Sequence, residues 1–141
     1  EEGRGFMLKE AQIRLSDAIS LSSSEADFDR QRRGILAIEA LKEEANYTAL
    51  ELNLNSIESL RRQYREEREK TYNAMKAGVQ KQVELAAQQL AGQAGGASID
   101  VQSSIEATAK ASPEWKSFIS RQEKAYNQKL RDLITELRAM L

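Results

Sequence analysis

The chain has no histidine and no cysteine, and each absence removes chemistry. Without histidine it lacks the side chain that ordinarily moves protons near neutral pH and the commonest transition-metal ligand. Without cysteine it lacks disulfides, thiolate nucleophiles and cysteine-ligated zinc, and its redox compartment stays unread. Triads and thiol nucleophiles are excluded, as is the Glu-x-x-His pair that a ferritin-like di-iron bundle requires. The sequence therefore reads as that of a non-enzyme with no cofactor and no metal.

Proline occurs once and glycine seven times in 141 residues, few turn signals for so long a chain. Ala, Leu, Glu, Gln, Lys and Arg, the strong helix formers, dominate instead. The expected fold class is all-α, a single domain over 1–141 of long helices forming a helical bundle or a coiled-coil-like assembly. No apolar run approaches the roughly 20 residues that span a bilayer, so no transmembrane segment is expected, and no signal peptide precedes the helical pattern. The sequence starts Glu1-Glu2-Gly3 without Met, which reads as a fragment, a processed product or an incomplete chain. A net charge of -1 gives no field to draw nucleic acid or an anionic membrane, so no specific nucleic-acid partner is expected. The charge is uneven, with seven acids against four bases in 25–51 and six bases against four acids in 112–141.

What is present is helical periodicity. Leu8, Ala11, Leu15, Ala18 and Ile19 form one stripe, predicting a helix over about 6–21. Ser22-Ser23-Ser24 ends it, and Ser24 with Asp27 three residues on starts the next helix, since a serine hydroxyl accepts from an orphan amide of a first turn. From Glu25 to about Ala91 only Gly34 and Gly78 interrupt the helix formers, which predicts one long helix, with Asn53-Leu54-Asn55-Ser56 as the point of any break. Its seams are Phe28, Ile35, Ile38, Leu41 and Ala45, then Leu50, Leu54, Ile57, Leu60 and Tyr64, then Tyr72, Met75, Val79, Val83, Ala86 and Leu90. Between the last two, Arg61 to Lys70 is charged almost throughout and reads as a solvated strut. Residues 92–98, with three glycines, read as a hinge, followed by a short helix over about 99–110. Ser112-Pro113-Glu114 is a helix start, with Ser as N-cap and Pro where its missing amide costs nothing. The helix it opens runs over about 113–141 and spaces Ile119, Tyr126, Leu133 and Met140 seven apart, with Leu130 and Leu137 widening the face. A strict seven-residue repeat favours a partner helix.

The candidate packing interface is therefore Leu54, Ile57, Tyr72, Met75, Val79 and Val83 with Ile119, Tyr126, Leu130, Leu133, Leu137 and Met140, and Trp115 with Phe118 is a candidate aromatic anchor. Sharper motifs fail. Gly92 to Gly96 follows a helix and lacks a Lys-Ser/Thr pair, so it is a turn rather than a phosphate loop. Glu43 with Glu44, and Glu66, Glu67 and Glu69, read as solvated charge rather than metal ligands. Arg61 to Lys70 carries only +2 net, with Tyr64 as its single stacking surface, too little for a nucleic-acid patch. Asn46-Tyr47-Thr48 matches a glycosylation acceptor but falls inside an expected helix.

Tyr64 through Ala91, continuing as Ala94-Gly95-Gly96-Ala97-Ser98-Ile99-Asp100-Val101-Gln102-Ser103-Ser104 and then a Tyr- and Glu-containing helix, resembles the layout of small internal virion (ejection) proteins of short-tailed phages. The resemblance covers about half of the chain and departs in having only a thin Ala-rich segment. It implies an α-helical protein packaged in the virion and released to help DNA cross the host envelope, with other phage proteins as partners and no functional residue carried over. The expected function is a non-enzymatic structural or interaction protein that oligomerises or packs on a helical partner, located in the virion if the resemblance holds. The alternative is the extracytoplasmic, periplasmic helical-bundle sensor domain of a chemoreceptor or sensor kinase.

Overall fold

A computed structural model describes residues 19–42, 45–92 and 100–141 of the chain. The fold is all-α: α1 is Glu25–Glu39, α2 Tyr47–Ala91, α3 Val101–Ala111 and α4 Pro113–Met140. Among the described residues there is no strand. The chain divides into two compact units, one of the residues up to Tyr64 together with Ala125–Leu141, the other Arg65–Lys124.

Most of the helix expected over 6–21 lies outside the described residues; its last residues, 19–21, form a bend and turn instead. The corner that follows is closed locally, with Ser23 N donating to Ser20 O at 3.1 Å. Ser24 then caps α1, its hydroxyl accepting from Asp27 N at 3.1 Å. Acidic Glu25 and Asp27 in the first turn sit at the positive end of the helix dipole.

The segment expected as one helix over 25–91 is broken, and at 40–46 rather than at 53–56. Leu41 N and Lys42 N bond to the carbonyls three residues back, the tightened last turn that ends a helix. Asn46 starts α2, its side chain accepting from Ala49 N at 3.3 Å. Buried Glu39 joins the two ends by accepting from Asn46 N at 3.0 Å. Asn53, by contrast, stays helical because its amide is engaged outside its own backbone, donating to Leu133 O at 3.0 Å.

The first unit packs α1, the start of α2 and the end of α4 around Ile19, Phe28, Ile35, Leu54, Ile57 and Leu137, each at most 1% exposed. Full burial of such a side chain contributes roughly 1.5–3 kcal/mol. Leu50, Leu54, Ile57, Arg61 and Tyr64 are all buried at steps of four and three, the period of an antiparallel helix pair. The direction follows from the contacts: Asn53 meets Leu133, while Tyr64, further along α2, meets Tyr126, ring centroids 5.6 Å apart.

The second unit packs the remainder of α2, α3 and the start of α4, burying Val83, Ile105, Ala109 and Trp115. The glycine-rich stretch expected as a hinge lies outside the described residues apart from Gly92, which is a turn. The N-cap of α3 is Asp100, which takes Ser103 N at 3.2 Å and Ser103 Oγ at 2.8 Å, so the helix begins at Val101 rather than Ile99. Those bonds hold the Asp100 carboxyl below its ordinary pKa. Ser112 opens α4, its hydroxyl accepting from Trp115 N at 3.4 Å.

Candidate functional site

The residues expected to form a packing face are used largely inside the chain. Leu54, Ile57, Tyr126, Leu130 and Leu137 are in the core of the first unit, and Leu133 and Met140 are half-buried beside it. In the second unit Val83 and Trp115 are buried, while Tyr72, Met75, Val79, Phe118 and Ile119 are half-buried. Trp115 sits between two rings, Tyr72 at 5.3 Å and Phe118 at 5.4 Å, and is therefore one member of an internal aromatic cluster.

The charged stretch of α2 is not a strut solvated on all sides. Arg61 is 1% exposed. Its guanidinium donates to the carbonyls of Ile19, Ser20 and Ser23 and to the Ser23 hydroxyl, and pairs with Glu25 Oε1 at 3.2 Å. Its plane lies over the Phe28 ring at 4.8 Å. The side chain thus supplies the donors that the corner before α1 lacks. Burial lowers the Arg61 pKa, against which Asp29 acts, yet a guanidinium so shifted remains a cation at neutral pH. Further along, half-buried Arg68 donates to Gln122 Oε1 at 3.0 Å and reaches Glu123 at 3.4 Å. Arg62, Glu66, Glu67, Glu69 and Lys70 are exposed, as a solvated face requires.

Glu39 is the other buried charge among the described residues of the first unit. Burial raises its pKa, but the Asn46 amide and Lys42, 3.0 Å away, outweigh that and hold the carboxyl below its ordinary value. Lys42 also donates to Met140 O at 2.7 Å, which ties the α1–α2 connection to the end of α4.

Each unit carries concavities on its surface. In the first unit, Ala49, Leu52 and Ser56 of α2 face Glu136, Ala139 and Met140 of α4 across a mostly apolar groove. Ser56, Ser59 and Gln63 with Lys129, Asp132 and Leu133 line a second stretch along the same pair of helices. Leu52 is 62% exposed at this groove, and buried Asn53 in its wall leaves Oδ1 without a donor. The groove uses a different face of α2 from Asn55 and Glu58, which bind Arg32 of α1 at 2.6 and 2.7 Å. In the second unit, Tyr72 and Trp115 form the apolar wall of a cleft whose edge carries Arg65, Arg68, Glu69 and Lys110. Among the described residues no group of three or more acidic side chains is placed to hold a metal ion. Nor is any helix there long and apolar enough to cross a membrane.

A protein-family model matches residues 1–139, nearly the whole chain. The chain belongs to DUF6657, a family of unknown function. No curated protein and no solved structure matches it. Membership of DUF6657 thus assigns no activity, and function has to be argued from the arrangement itself.

Sequence reasoning missed both the groove and the buried polar groups. Arg61 and Asn53 could have been found by position alone: they fall in phase with the apolar steps of α2, which a solvated residue need not do. Leu52 is a leucine out of phase with that stripe, the corresponding signal for an outward-facing apolar group.

Proposed function

We propose that the protein works by helix packing rather than catalysis, as a structural element that associates with another copy of itself through the groove of the first unit. The observation that carries this reading is Leu52, a large apolar side chain 62% exposed beside an apolar groove on the same surface. A knob and a hole on one face are self-complementary, which an isologous two-fold interface requires. The charged groups buried in this unit, Arg61 and Glu39, are occupied in closing corners of the fold, so they support an internal role rather than a chemical one.

The finer form of this proposal follows the resemblance to internal virion proteins of short-tailed phages: the assembly would be a packaged one, and its test is recovery of the chain in purified particles. The association itself is tested by light scattering. The 15.9 kDa chain is expected to give a mass that is a multiple of this value, and Leu52→Lys to return it to a monomer with unchanged helical content. A wild-type monomer at all accessible concentrations overturns the proposal.

A further inference from the structure

We propose that the cleft of the second unit binds a small aromatic anion, an aryl group carrying a phosphate, carboxylate or sulfonate. The volume is about 370 Å³, within the range of small-ligand sites and at its lower end. Its wall is the Tyr72–Trp115 pair, tilted by 51° at 5.3 Å, with Phe118 supporting Trp115 from behind at 5.4 Å. Such a wall favours a flat apolar body that offers its own ring to edge or offset contact.

The charge at the edge selects the head group. Arg65, Arg68 and Lys110 stand against Glu69, and the ammonium of Lys76 lies 5.0 Å over the Tyr72 ring. Arg68 is partly neutralised by Glu123 at 3.4 Å, and Arg65 has its own interactions in the protein, so the two lysines decide the sign. Lys110 is exposed and lies 6.0 Å from the Tyr72 ring, from where a flexible stem can bring its ammonium to an anion seated on the aromatic wall. A cationic ligand would meet net repulsion there, with Glu69 the one opposing charge among the lining residues. A neutral one would leave the positive edge uncompensated.

Trp115 is the only tryptophan of the chain, so fluorescence excited selectively at tryptophan reports on this cleft. Phenyl phosphate, benzyl alcohol and inorganic phosphate separate the two parts of the proposed ligand. Phenyl phosphate is expected to change the emission saturably, with an affinity at least about tenfold above that of either part, and Lys110→Gln to weaken it by about tenfold. Lys81→Gln, an exposed lysine not lining the cleft, is expected to leave the affinity unchanged. Both substitutions are at exposed positions, and circular dichroism verifies that the fold is retained. The proposal is overturned if phenyl phosphate gives no saturable change, if benzyl alcohol or inorganic phosphate binds as well, or if Lys110→Gln and Lys81→Gln behave alike.

Discussion

Arg61 and Glu39 show how one side chain can organise a segment that has no periodic structure of its own. Arg61 offers donors to three main-chain carbonyls of residues 19–23, of which Ser20 O also accepts from Ser23 N. Arg61→Met keeps the aliphatic stem against Phe28 but removes those donors, and the expected loss is about 3 kcal/mol in urea unfolding, with Arg61→Lys losing less. Glu39 makes a pH-dependent contribution. Its carboxyl titrates below the ordinary 4.5 in the folded state, so on acidification the unfolded chain takes up the proton first. The stabilisation is complete above about pH 4.5 and is lost as pH falls from there through the lowered folded pKa. Glu39→Gln keeps an acceptor for Asn46 N but not the pair with Lys42. It should cost about 1 kcal/mol at neutral pH and give a shallower acid limb in a stability-versus-pH series. An acid limb as steep as that of the wild type would show that Glu39 is not a source of it.

At the scale of the helices, propensity and packing can be separated at the glycines. Gly34 in α1 and Gly78 in α2 are exposed, and a Cβ at either position meets nothing within 4 Å. Gly34→Ala and Gly78→Ala should therefore each stabilise by about 0.5–1 kcal/mol, read as a higher thermal midpoint. A decrease at either site would reveal that its face is covered in solution. The helix starts were legible because capping is local: Ser24 and Ser112 stand where their hydroxyls meet the third amide on. The break at 40–46 was not legible. It contains neither Gly nor Pro, and what closes it is a carboxylate seven residues from the amide it accepts.

For the whole molecule, the question raised by the apolar stripes is where they are satisfied. Of the seven-residue repeat of α4, Tyr126 lies in the core of the first unit and Leu133 packs against it, so those positions do not require a second molecule. Leu41, Leu52 and Leu85 are each more than half exposed, and the case for association rests on Leu52 because it alone of these lines the apolar groove of the first unit. If a second copy seats there, the unfolding midpoint of the wild type should rise with protein concentration, while that of Leu52→Lys should not, because only an associating native state is stabilised by mass action. The aromatic cleft belongs to the other unit, so its ligand test and the association test can fail independently.

The sequence by itself determined the all-α fold class, most of the helix starts and the absence of histidine and cysteine chemistry. Those follow from propensity, capping and residue inventory, which act within a few residues or depend on no neighbours at all. Only the tertiary structure decided that Arg61 and Asn53 face inward, that the chain breaks between α1 and α2, and that Leu52, out of phase with the stripes, and Leu41, a member of one, are left outside. The physical reason is that a polar group can be buried only where a partner meets it. The partners here are distant in sequence: residues 19–25 for Arg61, and Leu133, 80 residues away, for Asn53.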